Sequence, residues 1–174
     1  MKLKLYHIGL VALGFVLITS CKSNKTLATV DELNKEKYLG TWYEIQRFPH
    51  SFEKDLQCVS ATYSLKEDGE IKVVNRGYDG EKWKDIEGKA WTPEAEKPGE
   101  LKVEFFWPFS GDYYIIETDP ATYSLVGTPD RDYLWILSRE KSLDHTTLNR
   151  LRNKAQELGF DISKLNDVHH NCKE

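Results

Sequence analysis

The side chains that could carry out catalysis are few in this sequence and poorly grouped. His50 lies near Glu53 and Asp55, and a histidine beside carboxylates is the kind of group that transfers protons. It directly follows a proline at the end of a predicted strand, however, which favours a loop residue over a catalytic one. The sequence contains no G-x-S-x-G, Walker A, H-E-x-x-H or G-x-G-x-x-G motif. We therefore predict a protein that is not an enzyme.

A second grouping, near the C-terminus, contains residue types that bind metals: His169, His170 and Cys172. These side chains lie in a terminal tail, where few other elements could complete a coordination shell. Cys172 is also better explained as one half of a disulfide. We predict no metal site and no cofactor.

The composition indicates one globular domain and excludes other classes of protein. The chain has 174 residues, of which 40% are hydrophobic and 30% charged. Its net charge of −4 makes it poorly suited to bind the phosphates of a nucleic acid, and we expect no such partner. Five tryptophans and nine tyrosines suit a packed β-protein or an aromatic-lined pocket.

The N-terminus has the pattern of a leader. Lys2 and Lys4 precede an apolar run over residues 8–18, which is too short to span a bilayer but suits a signal peptide. Small residues then precede Cys21, which resembles the lipobox of bacterial lipoproteins. Lipid chains on this cysteine would hold the protein on a membrane. The predicted parts are a signal peptide (1–20), a lipidated cysteine with a polar tether (21–30) and a folded domain (31–174).

The folded domain shows mainly the period of β-strands, because apolar residues recur at every second position from Tyr38 onward. Turn signals such as Asp79-Gly80 recur roughly every eight to twelve residues, which is typical of a sandwich or a barrel. We expect about eight strands from nine segments with this pattern, residues 39–48, 59–65, 71–75, 82–86, 88–92, 101–105, 113–117, 123–127 and 133–138.

Residues 142–158 break this rhythm, since Leu148, Leu151, Ala155 and Leu158 fall on one face of a helix. One helix cannot cover both faces of so large a sheet, whereas a sheet closed into a barrel has no exposed edges. The predicted fold is all-β, an eight-stranded antiparallel up-and-down β-barrel with one C-terminal α-helix packed outside. A barrel of eight strands can hold one small ligand.

Three segments in chain order resemble the signature motifs of the lipocalin family. They are G-x-W at residues 40–42, T-D-x-x-x-Y at residues 118–123, and a last strand ending in arginine at residues 133–139. Together with the leader, they resemble most the bacterial outer-membrane lipocalins and, more distantly, the members similar to apolipoprotein D. The resemblance extends from about Asp31 to Cys172.

The resemblance implies structural roles for four residues. In lipocalins, the tryptophan and arginine of the first and last motifs pack together at the closed end of the barrel, which places Trp42 under Arg139. Cys58 and Cys172 match a disulfide that ties the C-terminal tail to the barrel. A pair of cysteines in an exported chain agrees with such a bridge.

The resemblance also implies which residues face a ligand. Tyr114 and Ile116 share one face of their strand, and Trp135 and Leu137 share one face of the last strand. Asn75 falls on a polar position near the cavity. An apolar wall with a few polar groups suits an acyl chain with a polar head.

The expected partners are therefore a fatty acid or a lysophospholipid in the barrel, and a membrane through the N-terminal anchor. The implied role is lipid storage or transport in membrane maintenance. Because Lys22 rather than an aspartate follows Cys21, we expect the outer membrane. The apolar loop at residues 106–109 could border the pocket, touch the membrane or form a homodimer contact.

Three alternatives stay open. The first is an enzyme with the lipocalin fold that acts on a bound lipid, for which Glu44 is the candidate titratable group because it shares a face with Trp42. The second is a pocket for haem or another pigment. The third is a structural envelope lipoprotein whose barrel is filled and binds no ligand.

Overall fold

The computed structural model describes residues 26–173, so the predicted leader and Cys21 lie outside the described part of the chain. Neighbouring strands are antiparallel, and β1 pairs with both β2 and β8, which closes the first eight strands into a barrel. The predicted eight-stranded up-and-down barrel is confirmed. In chain order the strands are β1 (Gly40–Arg47), β2 (Gln57–Leu65), β3 (Ile71–Tyr78), β4 (Trp83–Trp91), β5 (Glu100–Phe106), β6 (Phe109–Asp119), β7 (Tyr123–Gly127), β8 (Leu134–Ser138) and β9 (Asn166–Asp167).

The predicted helix is confirmed as α2 (His145–Glu157), which follows β8. It begins after Asp144, whose side chain accepts a hydrogen bond from the backbone N–H of Thr147 and caps the helix. Leu151 and Ala155 bury its apolar face against the outside of the barrel. A short helix, α1 (Lys35–Tyr38), and the two-residue strand β9 were not predicted.

Strand β4 was predicted as two segments, residues 82–86 and 88–92, and this division is wrong. Gly88 lies in the middle of one continuous strand. A Cβ atom on Gly88 would lie 2.4 Å from the carbonyl oxygen of Glu104 and 2.6 Å from a ring carbon of Phe105. The glycine therefore permits β5 to approach closely rather than ending the strand.

Two apolar clusters lie on opposite sides of the barrel wall. The outer one fills the space beneath α2 and includes Leu125, Ile136 and Phe160. The inner one fills the closed half of the barrel, and its buried members are Tyr38, Trp42, Ala61, Tyr63, Ile71, Val73, Ala90, Leu101, Ile115, Val126 and Leu137. Alternate residues of a strand thus serve different cores, as the pleat requires.

The up-and-down topology gives the barrel two different ends. The connections β1–β2, β3–β4, β5–β6 and β7–β8 lie at one end, which we name the open end. The connections β2–β3, β4–β5 and β6–β7 lie at the closed end with α1, next to Trp42 and Arg139. Any ligand must therefore enter at the open end or through the wall.

The C-terminal tail is fastened to the outside of the barrel. Strand β9 pairs with β1, and the backbone N–H of Val168 donates to the carbonyl of Ile45 over 3.0 Å. A disulfide joins Cys58 to Cys172 and confirms the predicted pair. The backbone N–H of Cys58 also donates to the carbonyl of His169 over 2.8 Å.

The disulfide should contribute strongly to stability, because it links residues 114 positions apart in the sequence. On the chain-entropy model, replacing both cysteines by alanine should lower the free energy of unfolding by about 4–5 kcal/mol. Urea denaturation of the double variant measures the loss. The wild-type protein under reducing conditions serves as control and should lose a similar amount. An unchanged urea midpoint in both would contradict the prediction.

Candidate functional site

The closed end of the barrel is sealed by Arg139 and Trp42, as the sequence motifs implied. The guanidinium carbon of Arg139 lies 3.7 Å from the centre of the fully buried Trp42 ring. The indole N–H of Trp42 donates to the carbonyl of Tyr38 over 2.9 Å. Arg139 holds the neighbouring backbone in place by donating to carbonyl oxygens of Lys37, Tyr38, Leu39, Thr41 and Pro120. These residues form a floor and not a ligand site.

Above this floor, three tyrosines fill the lower interior. The hydroxyl of Tyr113 lies 3.0 Å from that of Tyr63 and 3.2 Å from that of Tyr38. Tyr38 also makes a hydrogen bond of 3.0 Å with the hydroxyl of Ser124. Burial raises the pKa of all three tyrosines, so their hydroxyls stay neutral.

The upper interior has an aromatic side, formed by half-buried residues of β5, β6 and β8. Phe105, Tyr113 and Trp135 pack beside the inner cluster without being fully covered. The ring centres of Tyr113 and Trp135 lie 6.4 Å apart. Such half-covered aromatic surface inside a barrel can bury an apolar chain.

The barrel wall is incomplete between β4 and β5. These strands share three residue pairs, all near the closed end, whereas β3 and β4 share eight. Ile86 lies opposite the interior residue Asn75 and is still 36% exposed. Toward the open end, therefore, β4 and β5 are not joined by paired residues.

The opposite side of the upper interior is polar and includes charged side chains. Arg47 donates from Nη1 to Oε2 of Glu44 over 2.9 Å, and its Nε lies 3.7 Å from Oε2 of Glu53. Asn75 on β3 donates to Oε1 of Glu53 over 3.3 Å, and His50 Nε2 lies 3.0 Å from Glu53 Oε2. We name these five residues the mouth cluster.

The mouth cluster lies largely out of contact with water. Glu44 is 4% exposed, Arg47 8% and Glu53 5%. Burial, and next the nearby charge of Glu53, raise the pKa of Glu44 well above its usual range, although Arg47 opposes the shift. The two carboxyl groups therefore do not readily carry full charge together.

The β1–β2 loop, residues 48–56, covers part of the open end. Arg47 holds the loop in place by donating from Nη2 to the carbonyls of Glu53 and Leu56, each over 2.9 Å. The imidazole of His50 stacks on Phe52 at 3.9 Å between ring centres and lies 5.6 Å from Trp135. This loop brings the polar and aromatic sides of the interior into contact.

The structure places three of the five predicted ligand-facing residues inside the barrel. Trp135 and Leu137 belong to the inner cluster, and Asn75 belongs to the mouth cluster. Tyr114 and Ile116 lie on the other face, where they pack in the cluster beneath α2, so their predicted orientation is wrong. The interior-facing residues of β6 are Tyr113 and Ile115.

Arg47 was not predicted as an interior residue, and Glu53 was considered only as a group that could assist His50 in proton transfer. The predicted lipidation site, Cys21, lies outside the described residues. Within residues 26–173 no helix is long and apolar enough to cross a membrane. The same residues contain no group of three or more His, Cys, Asp or Glu arranged to hold a metal ion.

The apolar loop of residues 106–109 forms an exposed tip at the open end. Phe106, Trp107 and Phe109 are 66%, 84% and 77% exposed. The tip therefore lies outside the barrel interior. Its contacts with a membrane or a second copy of the chain stay predictions.

Comparison with known proteins agrees with this geometry. Residues 33–170 match the lipocalin-like domain family. The chain belongs to the lipocalin family. Its relatives include the outer membrane lipoprotein Blc of Escherichia coli strain K12, which is 40% identical over 168 residues covering 93% of this chain and 95% of the relative. Apolipoprotein D of Macaca fascicularis is 37% identical over 155 residues, covering 83% and 81%.

The lipocalin fold is also supported by solved structures. Insecticyanin from the tobacco hornworm Manduca sexta superimposes with a TM-score of 0.70 over 86% of each chain, at 22% sequence identity. Lobster apocrustacyanin A1 gives a TM-score of 0.66 over 80% of this chain and 81% of the other, at 19% identity. At these identities the likeness concerns the fold alone.

Replacing Arg139 by alanine should destabilise this lipocalin by about 2–4 kcal/mol, because the cation–π contact and several hydrogen bonds to carbonyls are lost together. Chemical denaturation measures the change. Arg76→Ala is the matched control, since Arg76 lies 4.6 Å over Trp83 but its side chain is 52% exposed. That control should cost about 1 kcal/mol or less. Equal losses in the two variants would contradict a special role for Arg139.

Glu44 should make stability depend on pH in a defined direction. Its folded-state pKa is raised, so its contribution is fully present below the ordinary glutamate pKa of 4.5 and is lost as pH rises through the folded value. Relative to Glu44→Gln, the wild type should therefore lose stability as the pH rises from 4.5 to neutral. Urea midpoints across this range test the prediction, with the exposed Glu67→Gln as control. A difference that is constant with pH would contradict it.

Proposed function

We propose that this lipocalin binds a single-chain lipid, a fatty acid or a lysophospholipid, in the upper interior of its barrel. The observation that carries the proposal is the half-covered aromatic wall formed by Phe105, Tyr113 and Trp135. Each buried CH₂ of an acyl chain contributes about 0.8 kcal/mol, so such a wall can bind a chain with few hydrogen bonds.

The shape of the interior supports a ligand with one apolar and one polar end. The aromatic side accepts the chain, and the mouth cluster lies beside it through the contact of His50 with Trp135. The buried tyrosine hydroxyls below limit how deep the chain can reach. A binding role follows from this arrangement, and we include no catalytic step in the proposal.

We further propose that the protein is held on the outer membrane through a lipid on Cys21, after removal of a signal peptide over residues 1–20. Support comes from the lipobox pattern in the sequence and from relatives named outer membrane lipoprotein Blc, including one of Citrobacter freundii that is 44% identical over 155 residues. This placement would bring the barrel next to membrane lipids, which suits lipid storage or transport in membrane maintenance.

Titration with a lysophospholipid or a fatty acid, followed by tryptophan fluorescence, tests the binding proposal. We expect saturable quenching at one ligand per chain, because Trp135 lines the site. Haem, titrated separately, should give no saturable quenching if the pigment alternative is wrong. If neither lipid gives saturation, the protein is better explained as a structural lipoprotein.

Phe105→Ala should weaken binding of the better lipid about tenfold, because it removes apolar surface from the binding wall. Phe106→Ala is the matched control, since the adjacent ring is 66% exposed and points away from the interior. Its dissociation constant should match that of the wild type. Equal effects of the two substitutions would place the ligand outside the barrel.

A further inference from the structure

The mouth cluster contains a carboxylate that a loop delivers into the barrel. Glu53 belongs to the β1–β2 loop, yet it is 5% exposed and its Oε1 accepts a hydrogen bond from Asn75 on β3. Strand β2 lies between these elements and has the small residue Ala61 opposite Asn75. Glu53 therefore reaches across to β3 instead of pointing to solvent.

Arg47 and Asn75 direct hydrogen-bond donors of the cluster toward groups of the protein. Arg47 gives Nη1 to Glu44 and Nη2 to the carbonyls of Glu53 and Leu56. Asn75 gives its amide nitrogen to Glu53. An anionic group entering here would compete with Glu44, Glu53 and two backbone carbonyls for these donors.

Some acceptor atoms of the mouth cluster, in contrast, lack a hydrogen-bond donor. Asn75 Oδ1 and Glu53 Oε2 are buried and receive no hydrogen bond within the described part of the chain. His50 Nε2 approaches Glu53 Oε2 to 3.0 Å without the geometry of a hydrogen bond, and both ring nitrogens lack a partner there. Buried acceptors without donors are costly, so a group that donates to them gains binding energy.

The charge balance points in the same direction. Two buried carboxyl groups, Glu44 and Glu53, face one guanidinium, that of Arg47. An ammonium group entering here would be attracted to the two carboxyl groups. A ligand carboxylate would instead add a third acid beside them.

We propose that Glu53 and Asn75 form the head-group site of the barrel, and that it selects single-chain lipids whose polar end donates hydrogen bonds, a hydroxyl or an ammonium group, over free fatty acids. This inference rests on the proposed function and narrows its ligand class. The acyl chain lies along the aromatic side, and the polar end meets Glu53 and Asn75 next to His50 and Trp135, whose ring centres are 5.6 Å apart. The His50 ring lies beside Glu53, with its Nε2 3.0 Å from Glu53 Oε2.

Three amphiphiles with the same chain test the selection: dodecanol, dodecylamine and dodecanoate. Each is titrated at neutral pH into the purified protein below its solubility limit, with tryptophan fluorescence as the readout. We expect dodecylamine and dodecanol each to bind at least about tenfold more tightly than dodecanoate. Each can donate a hydrogen bond to the buried acceptors, and one good hydrogen bond is worth about tenfold in affinity. Tight binding of the amine alone assigns the site to ammonium groups, and equal binding of amine and alcohol assigns it to donors in general.

Glu53→Gln separates the head-group site from the apolar wall. The variant should bind dodecylamine about tenfold more weakly and dodecanoate no more weakly than the wild type, because the carboxylate that pairs with the amine and repels the acid is gone. Glu67→Gln removes the same charge from an exposed turn at the closed end and should change neither constant. Near-ultraviolet circular dichroism confirms that both variants keep the native packing.

Three results overturn all or part of the inference, and they differ from one another. Dodecanoate binding as tightly as the other two, or more tightly, overturns the head-group site while the proposed lipid binding stands. Failure of all three amphiphiles to bind overturns the proposed function and this inference with it. An unchanged preference in Glu53→Gln also overturns the assignment of Glu53.

Discussion

Closing the sheet at β1 is the constraint on which the rest of the structure depends. This strand pairs with β2 on one side and with β8 on the other, and its ladder with β8 shifts register between Glu44 and Gln46. The shift changes which side chains face inward. Simple alternation from Trp42 would turn Arg47 outward, but Arg47 instead lies opposite Trp135 and bonds to Glu44 inside the barrel. The irregularity at the seam therefore creates the polar side of the interior.

The two ends of β1 also divide the barrel by function. At its start, Trp42 and Arg139 fasten α1 and the β6–β7 connection into a floor that leaves no space for a ligand. At its end, Arg47 fastens the β1–β2 loop over the mouth. The floor and the β1–β2 loop are thus fastened at opposite ends of one strand, and the tyrosine hydroxyls lie between them.

The sequence predicted the fold well because turn signals and strand periods are local properties. The barrel, the helix, the disulfide and the floor pair all follow from such patterns or from family motifs. The orientation of β6 could not be predicted in this way. Tyr113, Tyr114, Ile115 and Ile116 are apolar or aromatic on both faces, since one face meets the interior and the other meets α2. Arg47 was missed for a related reason, because a shift in register leaves no mark in the sequence period.

The separation of β4 from β5 toward the open end affects how the protein behaves in solution. Where the two strands separate, backbone N–H and C=O groups of β4 lack a neighbouring strand, which makes this the place where the closed barrel has an edge. Unprotected edges recruit strands from other molecules and lead to aggregation. The exposed stretch of β4 carries Lys84, Asp85 and Glu87, and charged side chains are a common protection for such edges. The charged side chains on this stretch of β4 therefore discourage a second chain from adding a strand there.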